Sequence, residues 1–394
     1  MRRTTLAGAT LAAILTASYL GATAADEAGG YIETDLVVNK SVNGVPTLTD
    51  KNGVVHNATF FDPNLQNAWG LTESPTSPFW VSDNGSGKTT LYNTPGMPQS
   101  LVVSIPSPSD PLGASGTPTG AAFNPAQAQK AFTISGVGSD CETPASAPAR
   151  FLFATEDGTI VGWNPGVNPA GCDPAKAGTY GIIAVDDSSV THGANGAVYK
   201  GLAIATTGSG GTFLYATNFR GGTVQVYDAN FAAVTSFTDP DLPRSYAPFN
   251  VVLIAGELFV TFAVQDAAKH DDVAGQGHGI VDTFDLTGQM LRRFVQHGQL
   301  DSPWGVALAP PGFGELGGAL WIGNFGNGHI NAFDPRSGEF LDKVRQPKGQ
   351  ALVIDGLWAL KFGNGGNGGN TNTLYFTAGP NDEADGLFGS LKPN

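Results

Sequence analysis

The residues of this chain best suited to chemistry lie in one stretch, Asp266 to Gly279, where Lys269, His270, Asp271, Asp272 and His278 share a single unusually long loop. An imidazole beside a carboxylate is an arrangement for proton transfer, so His270 is the candidate general base and Asp271 its orienting partner. Two His and two Asp could also ligate a transition metal. The plain alternative is a solvated loop in which Asp272 stabilises a turn.

A second set recurs along the chain. Asn67, Asn250, Asp301 and Asp355 stand where apolar runs begin, and Asp83, Asn84, Glu156, Asp157, Asn218, Asp266, Asn324, Asn381 and Asp382 stand where the following runs end. Carboxylate and amide oxygens are hard-cation ligands, so Glu156, Asn218, Asp266 and Asp301 are candidate ligands for Ca²⁺ or another divalent cation that would polarise a carbonyl or activate water. Asn67, Asp83, Asn250, Asn324, Asp355 and Asp382 make up the candidate ligand face. Turns also need Asp, Asn and Gly, so repetition alone would generate such a ring.

The elements that must position these residues are visible as an internal repeat. Six short apolar strands open the units: Asn67-Ala-Trp-Gly-Leu71, Thr119-Gly-Ala-Ala-Phe123, Lys200-Gly-Leu-Ala-Ile204, Pro248-Phe-Asn-Val-Val252, Pro303-Trp-Gly-Val-Ala307 and Asp355-Gly-Leu-Trp-Ala359. Each is followed by a second strand ending in polar residues, a glycine-rich turn, and an alternating third strand such as Thr223 to Asp228. A fourth strand closes every unit but the last, and Ile32 to Val38, which has no unit of its own, could supply it. The expected fold is all-β, a six-bladed β-propeller of four-stranded blades, its ring closed by the N-terminal strand. In that fold, loops after second strands share a face with the starts of first strands, which brings the polar set together around the channel.

Composition narrows the class. A formal charge of −14 and a pI near 4.7, with scattered Lys and Arg, exclude nucleic acid as the expected partner. Arg2-Arg3, an apolar run to Leu20 and small residues at Ala22 to Ala24 read as an export signal over residues 1–24, leaving 25–394 as one propeller domain in a secreted or periplasmic protein. Sec and twin-arginine routes both stay open. No later segment has the roughly 20 uninterrupted apolar residues that a membrane span needs. The only two cysteines, Cys141 and Cys172, sit in two insertions of the second unit and can pair in an oxidising compartment.

Other motifs fail on inspection. Gly85-Ser-Gly-Lys-Thr89 lacks the first glycine of a phosphate loop, Gly363 to Asn370 links two strands, and neither precedes a helix. Asp382, Glu383 and Asp385 match part of a calcium loop, but Lys392 stands where the closing Glu belongs. Trp69, Trp304 and Trp358 begin strands at equivalent positions, which points to blade packing over a sugar-stacking platform.

Several strings carry a resemblance: Trp69-Gly-Leu, Ser77-Pro-Phe-Trp-Val-Ser-Asp-Asn84, Phe153-Ala-Thr-Glu-Asp-Gly-Thr159, Val198-Tyr-Lys-Gly-Leu202, Lys269-His-Asp-Asp-Val-Ala-Gly275 and Tyr375-Phe-Thr-Ala-Gly-Pro-Asn-Asp-Glu383. The chain resembles an uncharacterised family of secreted bacterial β-propeller proteins, some of whose members carry a cell-surface sorting tail. It is more distantly similar to NHL-repeat, gluconolactonase-like and streptogramin-lyase propellers. The resemblance implies the fold and export; gluconolactonase-like propellers use a divalent ion at the channel. Three functions follow as expectations: a monomeric binding scaffold for a small molecule, glycan or protein; a divalent-metal-dependent hydrolase or lyase of the lactonase kind; or a structural surface protein.

Overall fold

A computed structural model describes residues 29–394 of the chain, and the export signal expected over 1–24 lies outside the described residues. The structure is nearly all-β, with a single four-residue α-helix, Ser189–His192, and a few 3-10 turns. Its strands form six main sheets in chain order, antiparallel throughout except where Phe60–Phe61 adds a short parallel strand beside Tyr31–Val38 in the last. The first contains Ala68–Thr72, Phe79–Asp83, Lys88–Tyr92 and Val103–Ser104; the second Pro118–Phe123, Phe151–Thr155, Thr159–Trp163 and Ile182–Asp186; the third Tyr199–Thr206, Thr212–Asn218, Thr223–Tyr227 and Ala233–Phe237. The fourth holds Tyr246–Ile254, Glu257–Val264, Ile280–Phe284 and Met290–Gln296, and the fifth Pro303–Leu308, Leu320–Asn324, Ile330–Phe333 and Phe340–Lys343. In the sixth, Leu357–Phe362, Leu374–Ala378 and Leu387–Pro393 are joined by Tyr31–Val38, which pairs antiparallel with Leu387–Pro393. In these six sheets the order of the first four strands follows the repeat read from the sequence.

First strands pack against one another, each on the next, and Leu357–Phe362 packs back on Ala68–Thr72. Glycine makes this approach possible. A Cβ on Gly70 would lie 2.2 Å from the Thr119 carbonyl oxygen, one on Gly201 2.6 Å from Asn250 Cα, and one on Gly305 2.6 Å from the Trp358 carbonyl oxygen. This is the physical reason for the recurring aromatic-Gly pair. Beside these glycines every first strand carries a bulge, which tilts the preceding side chain out of the ladder. Buried threonines then lock neighbours: Thr119 donates to the Tyr199 carbonyl (2.9 Å) and Thr217 to that of Phe249 (3.1 Å).

Two segments go beyond the repeat. Thr133–Val137 and Pro144–Pro148 form a hairpin in the second unit, and Cys141 at its tip is disulfide-bonded to Cys172, with Cα atoms 5.5 Å apart. Residues 41–57 form a small sheet of Ser41–Val42, Val45–Thr49 and Val55–Asn57 that packs on Tyr31–Val38, a layer not anticipated from the sequence. No helix among the described residues is long and apolar enough to cross a membrane.

Candidate functional site

Antiparallel pairing places the start of each first strand beside the end of its second strand, as in Ala68 opposite Asp83, Pro118 opposite Thr155, Tyr199 opposite Asn218 and Leu357 opposite Ala378. Six equivalent positions at the bulges recur in the first strands: Trp69, Thr119, Lys200, Phe249, Trp304 and Trp358. The tryptophans pack on each other here. Trp358 stacks on Trp69 at 3.7 Å and on Phe325 at 3.9 Å, with Trp304 edge-on to both. One of the six is a lysine. Lys200 is 1% exposed, and its ammonium sits 4.9 Å from the Trp69 ring centre and 5.8 Å from that of Phe219.

Charged and amide groups converge on that ammonium. Lys200 forms an ion pair with Glu156 and lies 3.4 Å from Asp271 Oδ1. Burial works against its charge, but the pull of Glu156 and then Asp271 outweighs it and holds the ammonium above its ordinary pKa. Asn84 Nδ2 donates to the other Glu156 oxygen (2.8 Å), Asn67 Nδ2 donates to Glu383 and to Asn84 (3.3 Å), and Trp358 Nε1 donates to Asn67 Oδ1 (2.9 Å). Burial, with repulsion from Glu156, pushes the Glu383 carboxyl up to about 7.

Glu383 is held by an unusual turn. Asn381, Asp382 and Glu383 have φ of 60°, 53° and 68°, three successive non-glycine residues in the left-handed region, each costing on the order of 1–3 kcal/mol. Local bonds offset this: Asp355 Oδ2 accepts from the Asn381 N–H (2.9 Å), Asn381 Nδ2 donates to Asp385 (2.8 Å), and Lys51 pairs with Asp355 and Asp382.

From the long loop, His270 Nδ1 lies 2.8 Å from Asp271 Oδ1. That bond, against the effect of burial, raises the imidazole, and it is the main reason the Asp271 carboxyl is lowered to about 2. Asp266 shapes the loop by accepting from the His270 (2.8 Å) and Asp271 (3.3 Å) N–H groups. Asp272 is turned inward, where burial raises it to about 6. One oxygen each of Glu156 and Asp271 and one ring nitrogen of His270 lie within 4.8 Å of one another, a spacing that could hold a metal ion.

The other sequence candidates lie elsewhere. Asn218 Oδ1 accepts from the Gly221 N–H (2.9 Å) and closes a turn, while Asp301 Oδ1 accepts from the Gly275 N–H (2.7 Å) and ties the long loop to the start of the fifth sheet. Asp83 is fully buried near Thr90 and Asp62, and burial pushes its carboxyl well up. Asn250 ties sheets four and five by donating to the Trp304 carbonyl (2.7 Å), Asn324 donates to the Gln299 carbonyl (2.8 Å), and Asp382 faces solvent beside Lys51. Of the two proposed sets, the structure brings together Asn67, Asn84, Glu156, His270 and Asp271. Sequence reasoning passed over Lys200, although the signal was present, since a lysine stands where five aligned units carry Trp, Thr, Phe, Trp and Trp. Glu383 was noticed only within an incomplete calcium-loop pattern, because an irregular turn delivers it to the cluster.

A cavity of about 460 Å³ is lined by residues of all six first strands, including Thr72, Phe123, Ile204, Ile254, Leu308 and Phe362. Its ionisable pair, Glu73 and Lys361 at 3.5 Å, is isolated, so the convergent chemistry belongs to the Lys200 mouth.

The fold and the site define a propeller-like all-β protein with a charged cluster over an aromatic plug. The chain belongs to the family of the uncharacterised protein L690 of Acanthamoeba polyphaga mimivirus, to which it is 30% identical over 341 residues, covering 85% of this chain and 82% of the relative. Uncharacterised protein R648 of the same virus is 29% identical, over 85% of this chain and 76% of its own length. No family model matches. By structure the chain is similar to virginiamycin B lyase from Staphylococcus aureus, at 13% identity and a TM-score of 0.49 over 92% of this chain and 99% of that one. It is also similar to a gluconolactonase from Xanthomonas campestris, at 15% identity and a TM-score of 0.38 over 75% and 99%.

Proposed function

We propose that this is an exported six-bladed β-propeller, its ring closed by Tyr31–Val38 on Leu387–Pro393, that binds a small polar ligand at the Lys200 mouth of the channel. The observation that carries the reading is Lys200 itself. A fully buried ammonium costs several kcal/mol to desolvate, and a packing role would be met by Trp or Phe, as at equivalent positions. Lys200 and Asn84 hold Glu156, Asn67 holds Glu383, and the half-exposed His270 and exposed Asp271 form the rim. The outward groups are mainly acceptors, which suits a ligand rich in hydroxyl or amine donors. Calorimetric titration with monosaccharides, polyols, amines and lactones tests this. Saturable binding of one class, weakened at least tenfold by Glu383→Gln in a folded protein, supports the site; binding indifferent to Glu383→Gln and His270→Gln refutes it.

The His270 to Asp271 bond favours a second reading, in which His270 transfers a proton to or from the bound ligand, as in a lyase or lactone hydrolase. A divalent ion fits this mouth poorly. Lys200 already pairs with Glu156 and lies 3.4 Å from Asp271, while Asn218, Asp266 and Asp301 give oxygens to backbone N–H groups, so the expected donor set does not converge on one point. Hydrolysis or elimination that persists in chelator and is lost in His270→Gln would establish the catalytic reading; activity abolished by chelator and restored by Ca²⁺ would overturn its metal-free form.

A further inference from the structure

A second group of ionisable side chains lies outside this mouth, where the hairpin of Val45–Thr49 and Val55–Asn57 packs on Tyr31–Val38. Glu33 and Asp35, two residues apart on the strand, share a face, and His56 reaches them from the hairpin. One oxygen from each carboxylate and one ring nitrogen of His56 lie within 4.8 Å of one another. His56 is 4% exposed at its side chain, with Nδ1 3.2 Å from Asp35 Oδ1 and Nε2 3.7 Å from Asp50 Oδ2. The second distance is too long for a hydrogen bond, and Nε2 and Glu33 Oε1 are both buried without a hydrogen-bond partner. None of Glu33, Asp35 and Asp50 forms an ion pair with Lys or Arg among the described residues; Lys51, next in sequence, reaches Asp355 and Asp382 instead.

We propose that Glu33, Asp35 and His56 bind a divalent first-row metal ion, with Asp50 orienting the imidazole, and that the ion clips the hairpin to the strand that joins the chain's two ends. Three carboxylates around one imidazole leave an excess of buried negative charge even when the ring is protonated, and a divalent cation balances it. Ligand atoms sharing an ion at bonds of about 2.0–2.2 Å lie roughly 3–4 Å apart, so the present spacing needs little adjustment. Imidazole with carboxylates suits Zn²⁺, Co²⁺ or Mn²⁺ better than Ca²⁺, which takes oxygen ligands. A carboxylate behind the ring, here Asp50, is the usual support for a ligating histidine.

The test is titration of the chelator-treated protein with Co²⁺, followed by visible absorption, and thermal unfolding with Zn²⁺ or Mn²⁺ added singly. Expected are one equivalent of bound Co²⁺ and a higher unfolding midpoint. Both are lost in His56→Gln and unchanged in the Glu156→Gln/Asp271→Asn double variant. Should His56→Gln fail to fold, Glu33→Gln, at a partly exposed position, is expected to weaken binding at least tenfold while circular dichroism stays native. Absence of saturable binding of all three ions, or binding that follows Glu156 and Asp271 instead of Glu33 and His56, overturns the proposal.

Discussion

The two clusters are built from the same groups and solve their charge problem differently. At the channel mouth, Glu156, Asp271 and His270 surround Lys200, so the protein supplies its own cation, fixed to a first strand and backed by Trp69. At the N-terminal layer, Glu33, Asp35, Asp50 and His56 have no such side chain. Burial pushes Glu33 up to about 7, as it does Glu383; at His56 burial works against the charge, but the bond to Asp35 and the charges of Asp35, Glu33 and Asp50 together outweigh it and raise the imidazole. A covalent ammonium leaves a permanently assembled site open to a ligand; a cluster without one must take up protons or a metal ion.

The largest effect that could break this contrast is loss of the internal cation. Lys200→Met should destabilise the protein by about 3–5 kcal/mol in denaturant unfolding, because buried carboxylates lose their counter-charge. Adding Glu156→Gln should restore part of that, and a cost below about 1 kcal/mol would mean that Lys200 does not balance the mouth. Next in size is a pH effect. A carboxyl raised to about 7 stays protonated in the folded state while the unfolded chain ionises near 4.5, so its stabilising contribution is complete below pH 4.5 and is lost as pH rises through 7. Unfolding midpoints between pH 4.5 and 8 should therefore fall less steeply in Glu383→Gln, and separately in Glu33→Gln, than in the parent protein. Unchanged slopes would place both carboxyls in water. The smallest effect sharpens the independence of the clusters: Asp271→Asn should lower the His270 titration midpoint in proton NMR and leave that of His56 in place. A coupled shift of His56 would contradict two separate sites.

Much of the fold was legible because repetition makes the pattern redundant. Six copies of an apolar strand with the same punctuation indicated both strand order and the pairing partner for Tyr31–Val38, and the cysteine pair was readable from its place in two insertions of one unit. The site was legible only in part. Glu156, His270 and Asp271 were singled out by residue type and by their position after second strands, but Asn218, Asp266 and Asp301 have the same credentials and are occupied with backbone N–H groups. Residue type cannot separate a turn-former from a ligand, because both roles need the same oxygen.

By itself the sequence determined the strands of the six repeated units and their order in the main sheets, since local apolar periodicity and turn chemistry govern these. Only the tertiary structure decided that Lys200 is the centre of the channel mouth and that Glu383 reaches it through a left-handed turn. It alone brought His56 across to Glu33 and Asp35. These are encounters between residues distant along the chain, and their charges and burial exist only once the sheets have packed.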